Sequence, residues 1–121
     1  MKIFTGNFAN VKKYEARGLY PVSIALSARY FSGDKFPQLA PAYSFMKEEE
    51  KEYTKQYKSV VLSRITPQFV FNILLQKGGG RDVVLLCHEK QGEFCHRRLV
   101  AQWLEENLSI QVPELGNMKG L

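Results

Sequence analysis

The sequence predicts an α/β protein in which helices sandwich a short, mainly parallel sheet. Three observations carry that prediction. Strand-like and helix-like segments alternate along the chain, and glycine or proline marks most of the junctions. The run Asp82-Val83-Val84-Leu85-Leu86-Cys87 is continuously apolar, as strands buried on both faces are.

Taken in order, Lys2 to Thr5 reads as the first strand, and Gly6-Asn7 supplies a turn and a helix N-cap. Phe8, Val11 and Tyr14 fall on one face of a helix that should end near Gly18, a residue suited to a left-handed cap. Tyr20 to Leu26, apolar and small residues with β-branched types among them, reads as the second strand. The stretch from Ser27 to Tyr43 holds Gly33, Pro37 and Pro41 along with Tyr30, Phe31 and Phe36, and it is too long and too aromatic for a plain connection.

Ser44 can cap a helix whose first turn carries Glu48, Glu49 and Glu50, with Tyr53, Tyr57, Val60 and Val61 as its apolar stripe. Thr66-Pro67 marks another helix start, and Gly78-Gly79-Gly80 its end. After the apolar strand, Leu99, Val100, Trp103, Leu104 and Leu108 line the inner face of a helix from about Cys95 to Asn107. A last short strand is expected at Ile110 to Val112. The sequence shows no repeat, linker or low-complexity segment.

Composition narrows the class. A chain of 121 residues is the size of one domain, spanning 1–121, and buries roughly two-thirds of its unfolded surface. Its 45% hydrophobic and 24% charged residues are those of an ordinary globular protein. The start Met1-Lys2-Ile3-Phe4-Thr5 has no apolar leader, and no apolar run reaches the roughly 18 residues of a membrane span. The expectation is a cytoplasmic protein without a membrane partner. Two cysteines are too few for a disulfide scaffold, so Cys87 and Cys95 read as free thiols. The net charge of +5 is spread from Lys2 to Lys119 without a dense block, which suits an anionic ligand better than a DNA duplex.

The chemistry is concentrated. Both cysteines and both histidines of the chain lie between Cys87 and Arg98. Ligands of open parallel sheets bind beyond the carboxyl ends of the strands. Three such ends carry Thr5-Gly6, Ser27 to Arg29, and Cys87-His88-Glu89, so these stretches should converge on one rim under the long loop. The helix after Cys95 begins with His96, Arg97 and Arg98, the wrong charge for its end of the dipole unless an anion sits among its free N–H groups. The alternative is that the arginines face solvent or pair with Glu89 and Glu93.

A thiol at a helix start beside histidine and arginine has a depressed pKa. Cys95 is therefore the nucleophile candidate, with His96 or Glu89 as its acid–base partner, against the plainer reading of both cysteines as small buried hydrophobes. The phosphate loop of cysteine phosphatases closes on an arginine at a fixed spacing, which neither cysteine has. Cys87, His88, Cys95 and His96 carry the atoms of a zinc site, but adjacent residues at a strand end point apart, so no metal is expected.

The apolar strand followed by Cys87-His88-Glu89, a short loop and Cys95-His96-Arg97 resembles the signature of the bacterial family known as domain of unknown function 488. The resemblance extends to Thr5-Gly6, Ser23-Ile24, Leu39-Ala40-Pro41, Tyr53 and Tyr57. Many relatives carry an acidic residue, valine and arginine after the second strand where this chain reads Ala25-Leu26-Ser27-Ala28-Arg29, so no acidic role carries over from that loop. The resemblance implies a compact three-layer, Rossmann-like α/β sandwich and implies no particular activity.

Two functions of different class follow, with a metal-stabilised accessory protein as a third reading. One is binding of an anionic small molecule or nucleotide by Thr5, Gly6, Ser27, Arg29, Cys87 and Arg97, with chemistry by Cys95, Glu89 and His96. The other is a non-catalytic nucleic-acid-binding module that uses the positive charge, Arg29, Lys35 and the aromatic loop. The residues name neither a cofactor nor an oligomeric state.

Overall fold

The computed structural model describes residues 1–116. Its sheet has four strands, β1 (Ile3–Asn7), β2 (Tyr20–Ser23), β3 (Asp34–Lys35) and β4 (Val83–Cys87), in the order β1-β4-β2-β3 with every neighbouring pair parallel. β4 pairs with β1 from Ile3↔Val83 to Asn7↔Cys87 and with β2 from Tyr20↔Val83 to Ser23↔Leu86. All five of its residues are buried, which is why its sequence shows no alternation.

Helices cover both faces. α1 (Val11–Ala16) packs on one, where Val84 and Leu86 meet Phe8, Tyr14 and Phe31. On the other, Val83 and Leu85 meet Tyr53 of α2 (Glu50–Gln56), Val70 and Leu74 of α3 (Pro67–Gly78), and Val100 and Leu104 of α4 (His96–Leu108). The result is a small three-layer, Rossmann-like α/β fold. No helix among the described residues is long and apolar enough to cross a membrane.

The local signals act as their chemistry requires. Thr66 Oγ1 accepts the Phe69 N–H at 3.1 Å at the start of α3, and Gly79, at φ +61°, ends it. Gly18, at φ +80°, turns the chain from α1 towards β2.

Several boundaries differ from expectation. β2 stops at Ser23 rather than Leu26, where the Ser23 hydroxyl takes the Ala25 N–H and leads the chain out of the sheet. The long aromatic stretch contains β3 and a 3-10 turn, Pro37–Leu39. The helix expected from Ser44 begins only at Glu50, because Phe45 turns inward to pack edge-on against Tyr53 at 5.1 Å. α2 then widens into a π-helical turn, Tyr57–Val61, which holds Tyr57 inside the core. The last strand, expected at Ile110 to Val112, is a single bridge, Thr5↔Glu114. Val112 itself fills the core, and the chain draws level with β1 only after it.

Candidate functional site

The carboxyl ends of β1, β4 and β2 lie side by side, with Asn7 opposite Cys87 and Ser23 opposite Leu86. Two polar arrangements are built there, one on each side of Cys87.

The first is closed. Arg97, 1% exposed, holds Glu114 through Nε at 3.0 Å to Oε1 and Nη2 at 2.7 Å to Oε2, and directs Nη1 at Cys87 Sγ, 3.2 Å away. The Thr5 hydroxyl donates to Glu114 at 2.5 Å, and Arg98 Nη1 donates to Thr5 Oγ1 and to the Val112 carbonyl, each at 2.8 Å. Burial by itself would raise the Glu114 pKa, but the Arg97 and Thr5 hydrogen bonds and the charges of Arg97 and Arg98 hold it below the usual carboxylate value. The backbone joins in, with Thr5 N–H to Pro113 O at 3.0 Å and Leu115 N–H to Thr5 O at 2.7 Å. Gly6, on the opposite face of β1, is held to glycine by the ring of Tyr14, which occupies the space a Cβ would need.

The expected anion pocket is thus filled from within. Arg97 meets the carboxylate of Glu114 rather than a free anion face, and Arg98 is tied to Thr5 and Val112 instead of facing solvent. Nothing in the sequence pattern singles out Glu114, which comes after the last helix and reaches Arg97 only through the return of the chain along β1.

The second arrangement is open. Ser27, Tyr43, Met46, Tyr53, Cys87, His88, Glu89 and His96 are among the residues around a cavity of about 150 Å³. Glu89 Oε2 is shielded from solvent without a hydrogen-bond partner, the only buried side-chain nitrogen or oxygen in that condition among the described residues. His96 is buried; its Nε2 donates to the Ile24 carbonyl at 2.6 Å, which leaves Nδ1 as an acceptor, 3.8 Å from Cys95 Sγ. Burial brings its pKa down to about 4, so the ring is neutral at physiological pH. Burial and the charge of Glu89 push the Tyr53 hydroxyl up, so it stays protonated.

His88 turns away from Cys87. It donates Nε2–H to the Ser27 carbonyl at 2.5 Å and accepts the Tyr30 hydroxyl on Nδ1 at 2.6 Å, pinning the aromatic loop to the end of β4. Arg29 is exposed on that loop and lines none of these cavities. Cys95 faces a larger neighbouring recess of about 730 Å³, beside Lys51, Arg98 and Gln102. The two sulfurs meet as a disulfide between the recess and the cavity, which corrects the reading of Cys87 and Cys95 as free thiols. From the sequence, whether these two cysteines can pair is open; the strand end and the helix start bring them together.

Of the residues singled out from the sequence, then, Ser27, Cys87, Glu89 and His96 share one cavity. Thr5 and Arg97 belong to the closed network with Glu114. The family model for DUF488-N3a, described as the active DUF488-N3 subclade, matches residues 15–108, most of the chain. The chain belongs to the DUF488 family. The matched range takes in Cys87, Glu89, Cys95, His96 and Arg97, the residues on which the resemblance rests, together with Tyr53 and Tyr57. No curated protein and no solved structure matches the chain.

Proposed function

We propose that this DUF488 domain binds a small planar ligand that donates hydrogen bonds, of the nucleobase or nucleoside class, with Glu89 as the acceptor at the bottom of the site. The observation that carries the reading is the unpartnered Oε2 of Glu89 at a small open cavity. A buried carboxylate oxygen without a donor costs about 1–3 kcal/mol or more, so it is kept where a ligand completes it. Tyr43, Met46, Pro41 and Tyr53 supply flat or apolar walls for a ring. A cavity of about 150 Å³ is smaller than the usual ligand pocket of roughly 300–1,000 Å³, so it takes one ring and leaves any sugar or phosphate outside.

The arrangement also suits acid–base chemistry. Glu89 can accept a proton from the ligand, while the Tyr53 hydroxyl, kept protonated by burial, can donate a hydrogen bond to it. The description of the matched subclade as active supports a catalytic rather than a purely binding role. Cys95 takes part as a nucleophile only once its bond to Cys87 is reduced.

One observation favours a base within a single-stranded nucleic acid over a free nucleoside. Tyr30 and Tyr43 are 69% and 77% exposed on the loop beside the cavity, as stacking platforms for neighbouring bases are. Calorimetric titration with nucleobases, nucleosides, nucleotides and short single strands decides among these. Binding of a ring-bearing ligand that Glu89→Gln weakens by about tenfold or more supports the reading. Binding by none of them, or equal binding by Glu89→Gln, overturns it. A steep loss of strand affinity with added salt identifies the nucleic-acid form.

A further inference from the structure

The sulfur atoms of Cys87 and Cys95 and a ring nitrogen of His96 all lie within 4.8 Å of one another, and all three residues are buried. Adjacent residues at a strand end point apart, which is why the sequence predicts no metal here. That holds for His88, which is held by Tyr30 and Ser27. It does not hold for Cys95 and His96, which come from the N-cap and first turn of α4 and reach back over the end of β4.

Three further features match a metal site. His96 donates Nε2–H to the Ile24 carbonyl, the outer contact that fixes the orientation of a ligating histidine, and so presents the Nδ1 lone pair on the sulfur side. Arg97 Nη1 lies 3.2 Å from Cys87 Sγ, where a guanidinium stabilises a thiolate. The two Cα atoms stand 7.4 Å apart, wider than the roughly 4.4–6.8 Å usual between disulfide partners, a spacing that favours two sulfurs sharing an ion between them.

We propose that in the reduced protein Cys87, Cys95 and His96 bind one zinc-class divalent cation, with its fourth position open towards the Glu89 cavity. Two thiolates balance the ion's charge, and a donor set of two sulfurs and one imidazole selects zinc over magnesium or calcium. Cys87 and His96 both line the cavity that contains Glu89, which sets the direction of the open position. The exchange balances: a phosphine or dithiol reductant supplies two electrons, the S–S bond opens to two thiols, and metal binding releases both thiol protons to solvent. The proposal is independent of which molecule fills the cavity.

The test uses the full chain, stripped with chelator, reduced with a phosphine under argon and titrated with Co²⁺. The expected result is saturation at about one ion per chain with thiolate-to-cobalt absorption, lost on addition of Zn²⁺. Cys87→Ser and His96→Gln should each weaken binding beyond the 10–100-fold that loss of an outer contact costs, while His88→Ala binds as the parent does. Alkylation of the reduced parent protein gives a measure independent of any variant's folding, since Zn²⁺ should shield both cysteines from the reagent. Absence of the cobalt spectrum, unchanged alkylation with Zn²⁺, or equal dependence on His88 and His96 would each overturn the proposal.

Discussion

On one side of Cys87 every charged group has its complement, and on the other one does not. Arg97, Arg98, Thr5 and Glu114 form a network in which the buried Arg97 meets the partly buried Glu114 at 2.7–3.0 Å and the neighbouring hydroxyl and backbone groups are used. Glu89, on the opposite side, keeps an oxygen without a donor beside a neutral histidine and a protonated tyrosine. The difference separates structure from function more sharply than residue type does. Arginine at a helix start reads as an anion site in isolation, yet its satisfied partner makes it a clamp on the chain beyond α4. Glutamate at a strand end reads from the sequence as an acid–base candidate, and its buried oxygen without a donor is what sets it apart from the paired Glu114.

The largest expected effect breaks the closed side. Glu114→Ala leaves the 1%-exposed Arg97 guanidinium without its counter-charge, and such removals from buried pairs cost about 3–5 kcal/mol in urea denaturation. The same pair gives a pH signature. Because the folded-state pKa of Glu114 is lowered, its contribution is complete above the ordinary carboxylate value of 4.5 and is lost as pH falls through the lower folded value. The stability difference between the parent and Glu114→Gln should therefore shrink on acidification; a constant difference would show that the carboxylate charge is not what holds Arg97.

Smaller effects sharpen the open side. His88→Ala removes the hydrogen bonds to Ser27 and Tyr30 and should cost about 1–2 kcal/mol, with faster amide exchange across Ser27 to Phe31. Glu89→Gln should be neutral or stabilise the ligand-free protein by up to about 1 kcal/mol, since it removes a carboxylate one of whose oxygens is buried without a donor. A loss as large as that of Glu114→Ala would mean Glu89 is structural and would dissolve the contrast. Smallest is Lys77→Ala, which breaks the half-exposed pair with Asp34 far from either arrangement and should cost about 0.2–1 kcal/mol.

The sequence by itself determined the alternation of elements, the central position of the apolar strand and the family to which the chain belongs. These follow from local rules: Thr66-Pro67 and Gly79 bound α3, and five consecutive apolar residues admit no exposed face for β4. It also placed Ser27, Cys87, Glu89 and His96 near one rim, because strands of a parallel sheet carry their carboxyl ends to the same edge. Only the tertiary structure decided how those charges and sulfurs pair. Glu114 reaches Arg97 because the chain returns along β1, and Cys95 reaches Cys87 because α4 starts over the end of β4. Which polar group finds a partner depends on distances of a few ångströms between segments remote in sequence, and periodicity and capping, which act over a turn or two of chain, do not encode them.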